Sequence, residues 1–249
     1  MKQVNESAIT RFSRVNYAHR GLYTKDQSIP ENSLAAFRRA VEKGYGVELD
    51  VQVSRDGQVM VFHDDNLKRM CGVDGYIWDY TYDELMDFRL KNTNERIPLF
   101  TEVLEILEKG SGPLLCELKT GPRNDELCEK TLSLLEAYRI DYCIESFNPM
   151  IVNWFRKNAP NVFRGQLVTA EEKYDKYPAP LRSFLAKAGF SFLNQPDFIA
   201  FNREAEIPKA IRKLLGKGAI LMLWTSHDES DQQNADAVIF EHYEPKPRY

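Results

Sequence analysis

The chain is poor in cysteine. Cys71, Cys116, Cys128 and Cys143 are the only four in 249 residues, and no two stand in a Cys-x-x-Cys spacing. That pattern argues against a disulfide framework or a cysteine-held zinc and for reduced thiols in a cytosolic protein. Basic runs are also missing, and the net charge of −4 removes the electrostatic basis for nucleic-acid binding. No polybasic anchor for anionic lipid stands out, and no apolar stretch approaches the ~20 residues that span a bilayer. The opening Met1-Lys2-Gln3-Val4-Asn5-Glu6 is polar, with no apolar run behind it. Neither a signal peptide nor export is expected, so the predicted location is cytoplasmic.

Histidine is scarce too, yet His19 and His63 fall in the first quarter of the chain beside an arginine and two carboxylates. The carboxylates have the clearest geometry. Val47, Leu49, Val51 and Val53 alternate with Glu48, Asp50 and Gln52, the period of a strand with one buried face. Glu48 and Asp50 therefore point the same way. An oxygen-seeking divalent cation relieves their repulsion, Mg²⁺, Ca²⁺ or Mn²⁺ in preference to Zn²⁺. The competing reading is the solvated face of an edge strand. Asp56-Gly57 reads as a two-residue hairpin turn that pairs Arg55 with Gln58, Val53 with Met60 and Asp50 with His63. An imidazole then stands on the carboxylate face, at a cross-strand Cβ separation of ~4.5–5.5 Å.

His19-Arg20-Gly21 closes an apolar strand, Val15 to Ala18, and Gly21 permits a sharp turn. The imidazole can exchange a proton near neutral pH, while the guanidinium stays charged and can grip a phosphate through two parallel hydrogen bonds. Pro113 to Lys119 reads as a short buried strand on which Glu117 and Lys119 share a face. Glu117 can complete an oxygen-ligand set and Lys119 can balance phosphate charge; the alternative is a surface ion pair.

Taken in order, His19-Arg20-Gly21, Pro30-Glu31-Asn32-Ser33 with Ala36-Phe37, Glu48-Leu49-Asp50-Val51, Asp56-Gly57, His63-Asp64, Glu117-Leu118-Lys119, Ser146-Phe147 and Trp224-Thr225 resemble the glycerophosphodiester phosphodiesterase family. The likeness runs from about Val15 to Glu241 and is most specific from His19 to Asp64. It implies a TIM barrel, a divalent cation held by Glu48, Asp50 and Glu117, catalytic His19 and His63, and phosphate contacts from Arg20 and Lys119. Trp224 is expected as an apolar wall for the glycerol or head group, with a core tryptophan as the alternative. Ser33 stands where the family usually has Thr, which keeps the hydroxyl. Val238 to Pro245 replaces the usual Ile-Thr-Asp-x-Pro, so contacts from the last outgoing loop need not carry over.

The length and the 43% hydrophobic content suit one α/β domain over residues 1–249, a (β/α)8 TIM barrel with a small insertion over 64–99 between the second strand and the second helix. Strands are expected near Val15–Ala18, Val47–Val53, Leu114–Leu118, Tyr142–Ser146, Phe163–Val168, Phe198–Phe201, Ala219–Trp224 and Ala237–Phe240. Helices are expected from an Asn32 N-cap to Gly44 and over Phe100–Glu108, Asn124–Tyr138, Pro149–Asn158, Pro178–Ala188 and Ile207–Leu215. The aromatic middle of the insertion, Tyr76 to Tyr82, is expected to wall the substrate pocket or to form a satellite cluster on the barrel rim. The apolar stretch Leu181–Phe201 is mostly explained by barrel packing, with a lipid-facing lip as the alternative.

The reaction that the resemblance implies is metal-dependent hydrolysis of a glycerophosphodiester, a deacylated phospholipid, to sn-glycerol 3-phosphate and an alcohol. His19 is assigned as base and His63 as acid, and the reverse division stays open. The attacking group is water or the substrate's own glycerol hydroxyl. Two rivals are a lysophospholipase D-type activity through the same site and a non-catalytic barrel that binds glycerophosphodiesters. The second normally predicts loss of a histidine or a metal carboxylate, and none is missing.

Overall fold

The structure, a computed structural model, describes residues 6–248. Its strands are β1 (Asn16–Ala18), β2 (Gly46–Val53), β3 (Val59–Val61), β4 (Leu114–Leu118), β5 (Tyr142–Ser146), β6 (Phe163–Val168), β7 (Phe198–Asn202), β8 (Ile220–Ser226) and β9 (Ala237–Phe240). The α-helices are α1 (Glu6–Phe12), α2 (Leu34–Glu42), α3 (Lys68–Cys71), α4 (Tyr82–Leu85), α5 (Phe100–Leu107), α6 (Asn124–Ala137), α7 (Pro149–Asn158), α8 (Ala179–Leu185), α9 (Ser191–Asn194) and α10 (Lys209–Leu215). Eight parallel strands alternate with helices in the order of a (β/α)8 barrel, and β3 is an added hairpin strand. The chain divides into two compact units, Tyr17–Tyr142 and the remainder.

In the Tyr17–Tyr142 unit, β2 pairs in parallel with β1 and β4 and antiparallel with β3. All eight residues of β2 are buried, so the polar side of its alternation is not a solvated face. A strand flanked in parallel on both sides has no wet edge, and here alternation separates an apolar surface from a polar one that is equally dry. The hairpin register also differs from expectation. Val53 pairs with Val59 and Val51 with Val61, and the Phe62 amide donates to the Asp50 carbonyl at 2.9 Å. The loop is one residue longer, because Gly57 takes a left-handed φ of +84° and the Ser54 and Gln58 backbones close around three residues. His63 consequently lies beyond β3, on its outgoing loop, and not opposite Asp50.

The cap of α2 is Ser33, whose hydroxyl accepts from the Ala36 amide at 3.1 Å. Asn32 was the expected cap, but its φ of +54° turns its side chain elsewhere. Between β3 and α5 the chain builds two short helices and a 3-10 turn over a satellite core of Met60, Phe62, Leu67, Met70, Ile77, Leu85, Leu90 and Ile97. Tyr80 and Tyr82 pack against that core, whereas Tyr76 stacks on Trp78 with ring centroids 4.8 Å apart.

In the other unit β5 to β9 run in parallel, each paired with the next. Helix α7 starts as its sequence dictates, with Asn148 accepting from the Met150 amide and Pro149 in the first turn. The segment between β6 and β7 carries α8 and α9, shorter than the expected helix, and leaves Tyr177, Phe184 and Phe192 exposed. Among the described residues no helix is long and apolar enough to cross a membrane.

Ser33→Ala removes the α2 cap, and chemical denaturation is expected to show a loss of about 1 kcal/mol. No disulfide joins the four cysteines, three of them are buried, and burial pushes the Cys71 and Cys128 thiols up to about 12. The folded protein should therefore resist a thiol reagent at pH 8, and four equivalents should react only after denaturation, as absorbance titration would show.

Candidate active site

Strand register assembles the carboxylates. Parallel pairing of β2 with β4 sets Asp50 opposite Glu117, and pairing of β1 with β2 sets Ala18 opposite Val47, so that the next residue, His19, comes level with Glu48. The His19 Nε2 lies 4.0 Å from Glu48 Oε2. Ligand oxygens of Glu48, Asp50 and Glu117 all fall within 4.8 Å of one another, and the three residues are buried. Lys119 reaches Glu117 at 3.0 Å and Asp50 at 3.4 Å, as two residues sharing a strand face should.

Arg20 enters from a strained turn. Its φ is +53°, Gly21 follows at +77°, and a Cβ on Gly21 would stand 2.9 Å from that of Ala36. The turn aims the Arg20 amide at Glu48 (2.9 Å) and its guanidinium at Glu31 (2.7 Å), with Nε 3.7 Å from Asp50. Asn32, also left-handed, donates its backbone amide to the Arg20 carbonyl and its side-chain amide to Asp50, both at 2.9 Å. Left-handed backbone at two non-glycine residues costs on the order of 1–3 kcal/mol each and persists only where surrounding bonds hold it.

The charges do not share the burial equally. Burial raises Glu48 well above the usual carboxylate range, and the charges of Asp50 and Glu117 add to the rise. Glu117 is raised by its burial and by Asp50, against the pull of Lys119. Asp50 is the exception: burial works against its charge, but His63, Lys119, Arg20 and the Asn32 hydrogen bond hold it below the ordinary range. The Asp50 Oδ1 accepts no hydrogen bond although it is buried. Three buried carboxylates, two of them reluctant to ionise and one whose Oδ1 faces the Lys119 ammonium at 3.4 Å without a hydrogen bond, fit a hard divalent cation with oxygen ligands.

His63 sits on the rim of a cleft of about 640 Å³ that also includes Asp64, Asn66, Arg69 and Lys119. Its Nδ1 is 2.8 Å from Asp64 Oδ1. Hydrogen bonds from His63 and Arg69 outweigh burial and keep Asp64 well below the usual range, so the carboxylate accepts and Nδ1 must donate. That leaves Nε2 for chemistry. Gln52, on the carboxylate face of β2, pins the loop by donating to the Phe62 and Asp64 carbonyls at 2.9 Å.

Seven expected site residues thus meet in this unit: His19, Arg20, Glu48, Asp50, His63, Glu117 and Lys119. Trp224 belongs to the other unit, on β8, half-buried and edge to face with Phe147 at 5.6 Å. Sequence reasoning missed Glu31, Asn32 and Arg69 as parts of the cluster. Glu31 and Asn32 stood inside a recognised motif but were read as a helix start, and Arg69 gave no signal beyond an ordinary Lys-Arg pair.

The sequence matches the glycerophosphoryl diester phosphodiesterase family over residues 19–243. A glycerophosphodiester phosphodiesterase from Caldanaerobacter subterraneus subsp. tengcongensis is 34% identical over 160 residues, 60% of this chain and 65% of that protein. Lysophospholipase D GDPD1 from Rattus norvegicus is 33% identical over 145 residues, 53% of this chain and 44% of that protein. The matched segment spans less than two thirds of either relative. A phosphodiesterase from Oleispira antarctica, solved in complex with the product sn-glycerol-3-phosphate, has a TM-score of 0.77 at 24% identity, covers 93% of this chain and 94% of its own, and shares the fold. With nine-tenths of its length inside the family match, the chain belongs to the glycerophosphoryl diester phosphodiesterase family.

Proposed function

We propose that this protein hydrolyses glycerophosphodiesters to sn-glycerol 3-phosphate and an alcohol, with a divalent cation and two histidines. The observation that carries the reading is the convergence of three buried carboxylates with two imidazoles and two fixed cations. Glu48, Asp50 and Glu117 would hold Mg²⁺, Ca²⁺ or Mn²⁺. Such an ion, when bound, offsets the negative charge that keeps a nucleophile from a phosphodiester.

The chain's own groups divide the remaining work. Arg20 and Lys119 add positive charge beside the carboxylates, where the anionic substrate must be tolerated. His63, with Nδ1–H held by Asp64, would act as the acid in its imidazolium form, giving the Nε2 proton to the departing alkoxide and leaving Nε2 as the lone-pair nitrogen. His19, beside Glu48, takes the proton of the attacking hydroxyl. Residues 64–99 are proposed to border the site, a reading supported by Asp64, Asp65, Asn66, Lys68, Arg69 and Asp74 along the cleft that His63 and Lys119 share. The first residues of the insertion line that cleft, and Trp78 of its aromatic middle lines a smaller pocket with Gln52 and Lys119, where an aromatic wall for the substrate is proposed. The chain is proposed to act as one domain in the cytoplasm, consistent with cysteines that form no disulfide.

The rat relative's name favours one further substrate, a lysophospholipid. Choline release, measured side by side on glycerophosphocholine and on lysophosphatidylcholine, whose hydrolysis leaves lysophosphatidic acid and no glycerol 3-phosphate, decides between the two, with a coupled glycerol 3-phosphate assay confirming the product of glycerophosphocholine and glycerophosphoethanolamine. The diesters are expected to be turned over, and activity confined to the lysolipid would overturn the proposal.

Chelation should stop turnover, and Mg²⁺, Ca²⁺ or Mn²⁺ should restore it. Independently of activity, the same ions should raise the melting temperature of the wild type and not of Glu117→Gln, read by differential scanning fluorimetry. His63→Ala should cost about 10²–10⁴-fold on alkyl leaving groups and far less on a nitrophenyl diester, whose leaving group departs without a proton. Equal losses in steady-state kinetics would contradict the acid role.

A further inference from the structure

Arg69 lies on α3, outside the strands that carry the carboxylates, yet it makes the densest set of charged contacts near the site. Its Nε donates to Asp64 Oδ2 at 2.6 Å and its Nη2 to Asp64 Oδ1 at 2.9 Å. On its other edge Nη1 reaches Glu31 Oε2 at 2.9 Å and Nη2 reaches Glu31 Oε1 at 2.6 Å. Each carboxylate continues to a group of the proposed machinery. Asp64 holds His63, and Glu31 Oε1 accepts from Arg20 Nη1 at 2.7 Å.

We infer that Arg69 is a positioning residue that locks two arms of the site at once, His63 through Asp64 and Arg20 through Glu31; the inference rests on the reaction proposed above. Donor atoms of Glu31, His63 and Asp64 also lie within 4.8 Å of one another, a grouping that could suggest a second ion. The guanidinium already occupies it with four hydrogen bonds, so the charge these carboxylates need is supplied by the chain. The planar fork matters as much as the charge. Two carboxylates gripped bidentately from two edges fix the angle between them, which an ammonium on a flexible stem cannot do. The segment is itself anchored, since Lys91 donates through Nζ to the Arg69 carbonyl at 2.7 Å and through its amide to Met70 at 2.6 Å.

The test compares wild type, Arg69→Met, Arg69→Lys and Asp64→Asn on glycerophosphocholine and on a nitrophenyl glycerophosphodiester, after thermal melting has shown each variant folded. Arg69→Met should lose about 10- to 100-fold in kcat on glycerophosphocholine, much less on the nitrophenyl diester, and should raise KM on both because Arg20 is released. Arg69→Lys should not rescue either effect. Asp64→Asn should reproduce the leaving-group split without the rise in KM, and it keeps the inference testable if Arg69→Met does not fold. An active wild type whose variants lose both substrates alike, or an Arg69→Met enzyme that keeps full activity, overturns the role of Arg69 alone. A wild type inactive on both diesters overturns the reaction and the inference with it.

Discussion

Water is kept away from Glu48, Asp50 and Glu117, and the rest of the site answers that condition. Removing a carboxylate from water costs several kcal/mol even after relaxation, and three together add repulsion. The protein offsets the cost unequally. Asp50 collects Lys119, Arg20, His63 and Asn32 and keeps its charge, while Glu48 and Glu117 are pushed toward their neutral forms. The three carboxylates would fit one more positive charge, that of a hard cation that takes several oxygens at once.

Outside that centre a second set of charges is already complete. Glu31, Asp64 and Arg69 are matched carboxylate to guanidinium at 2.6–2.9 Å, and their side chains reach the first set through Arg20 and His63. The inner set is under-neutralised and the outer set is satisfied. Groups that must respond to a substrate sit in the first, and groups that must hold still sit in the second. Left-handed non-glycine backbone serves both sets: Arg20 and Asn32 are tied to each other and to the inner carboxylates, while Gln27 and Lys91 bond to Glu31 and to the Arg69 carbonyl.

Much of the fold was legible because strand and helix periods are local. Leu114–Leu118 and Phe163–Val168 are short apolar runs between polar segments, and they fold as strands within those bounds. The hairpin was not legible to the residue. Asp56-Gly57 suits both a two-residue and a three-residue loop, and the choice depends on whether Gly57 takes the left-handed φ that closes the longer one. One residue of slip moved His63 off the strand, yet it stays near Asp50 because the outgoing loop, pinned by Gln52, reaches the same place. The N-cap was displaced for a related reason. Asn32 and Ser33 both cap well in isolation, and the demand of Asp50 for a donor settled which one did so.

Sequence by itself determined the chemistry: which residues can titrate, which can carry fixed charge, and that Glu48 and Asp50 share a face. These follow from side-chain identity and a period of two, neither of which needs a distant partner. Tertiary structure alone decided that the polar face of β2 is dry, that Glu117 arrives in register with Asp50, and that Arg69 closes a circuit between His63 and Arg20. Each depends on residues far apart along the chain being packed together, and no local pattern records how strongly such packing excludes water.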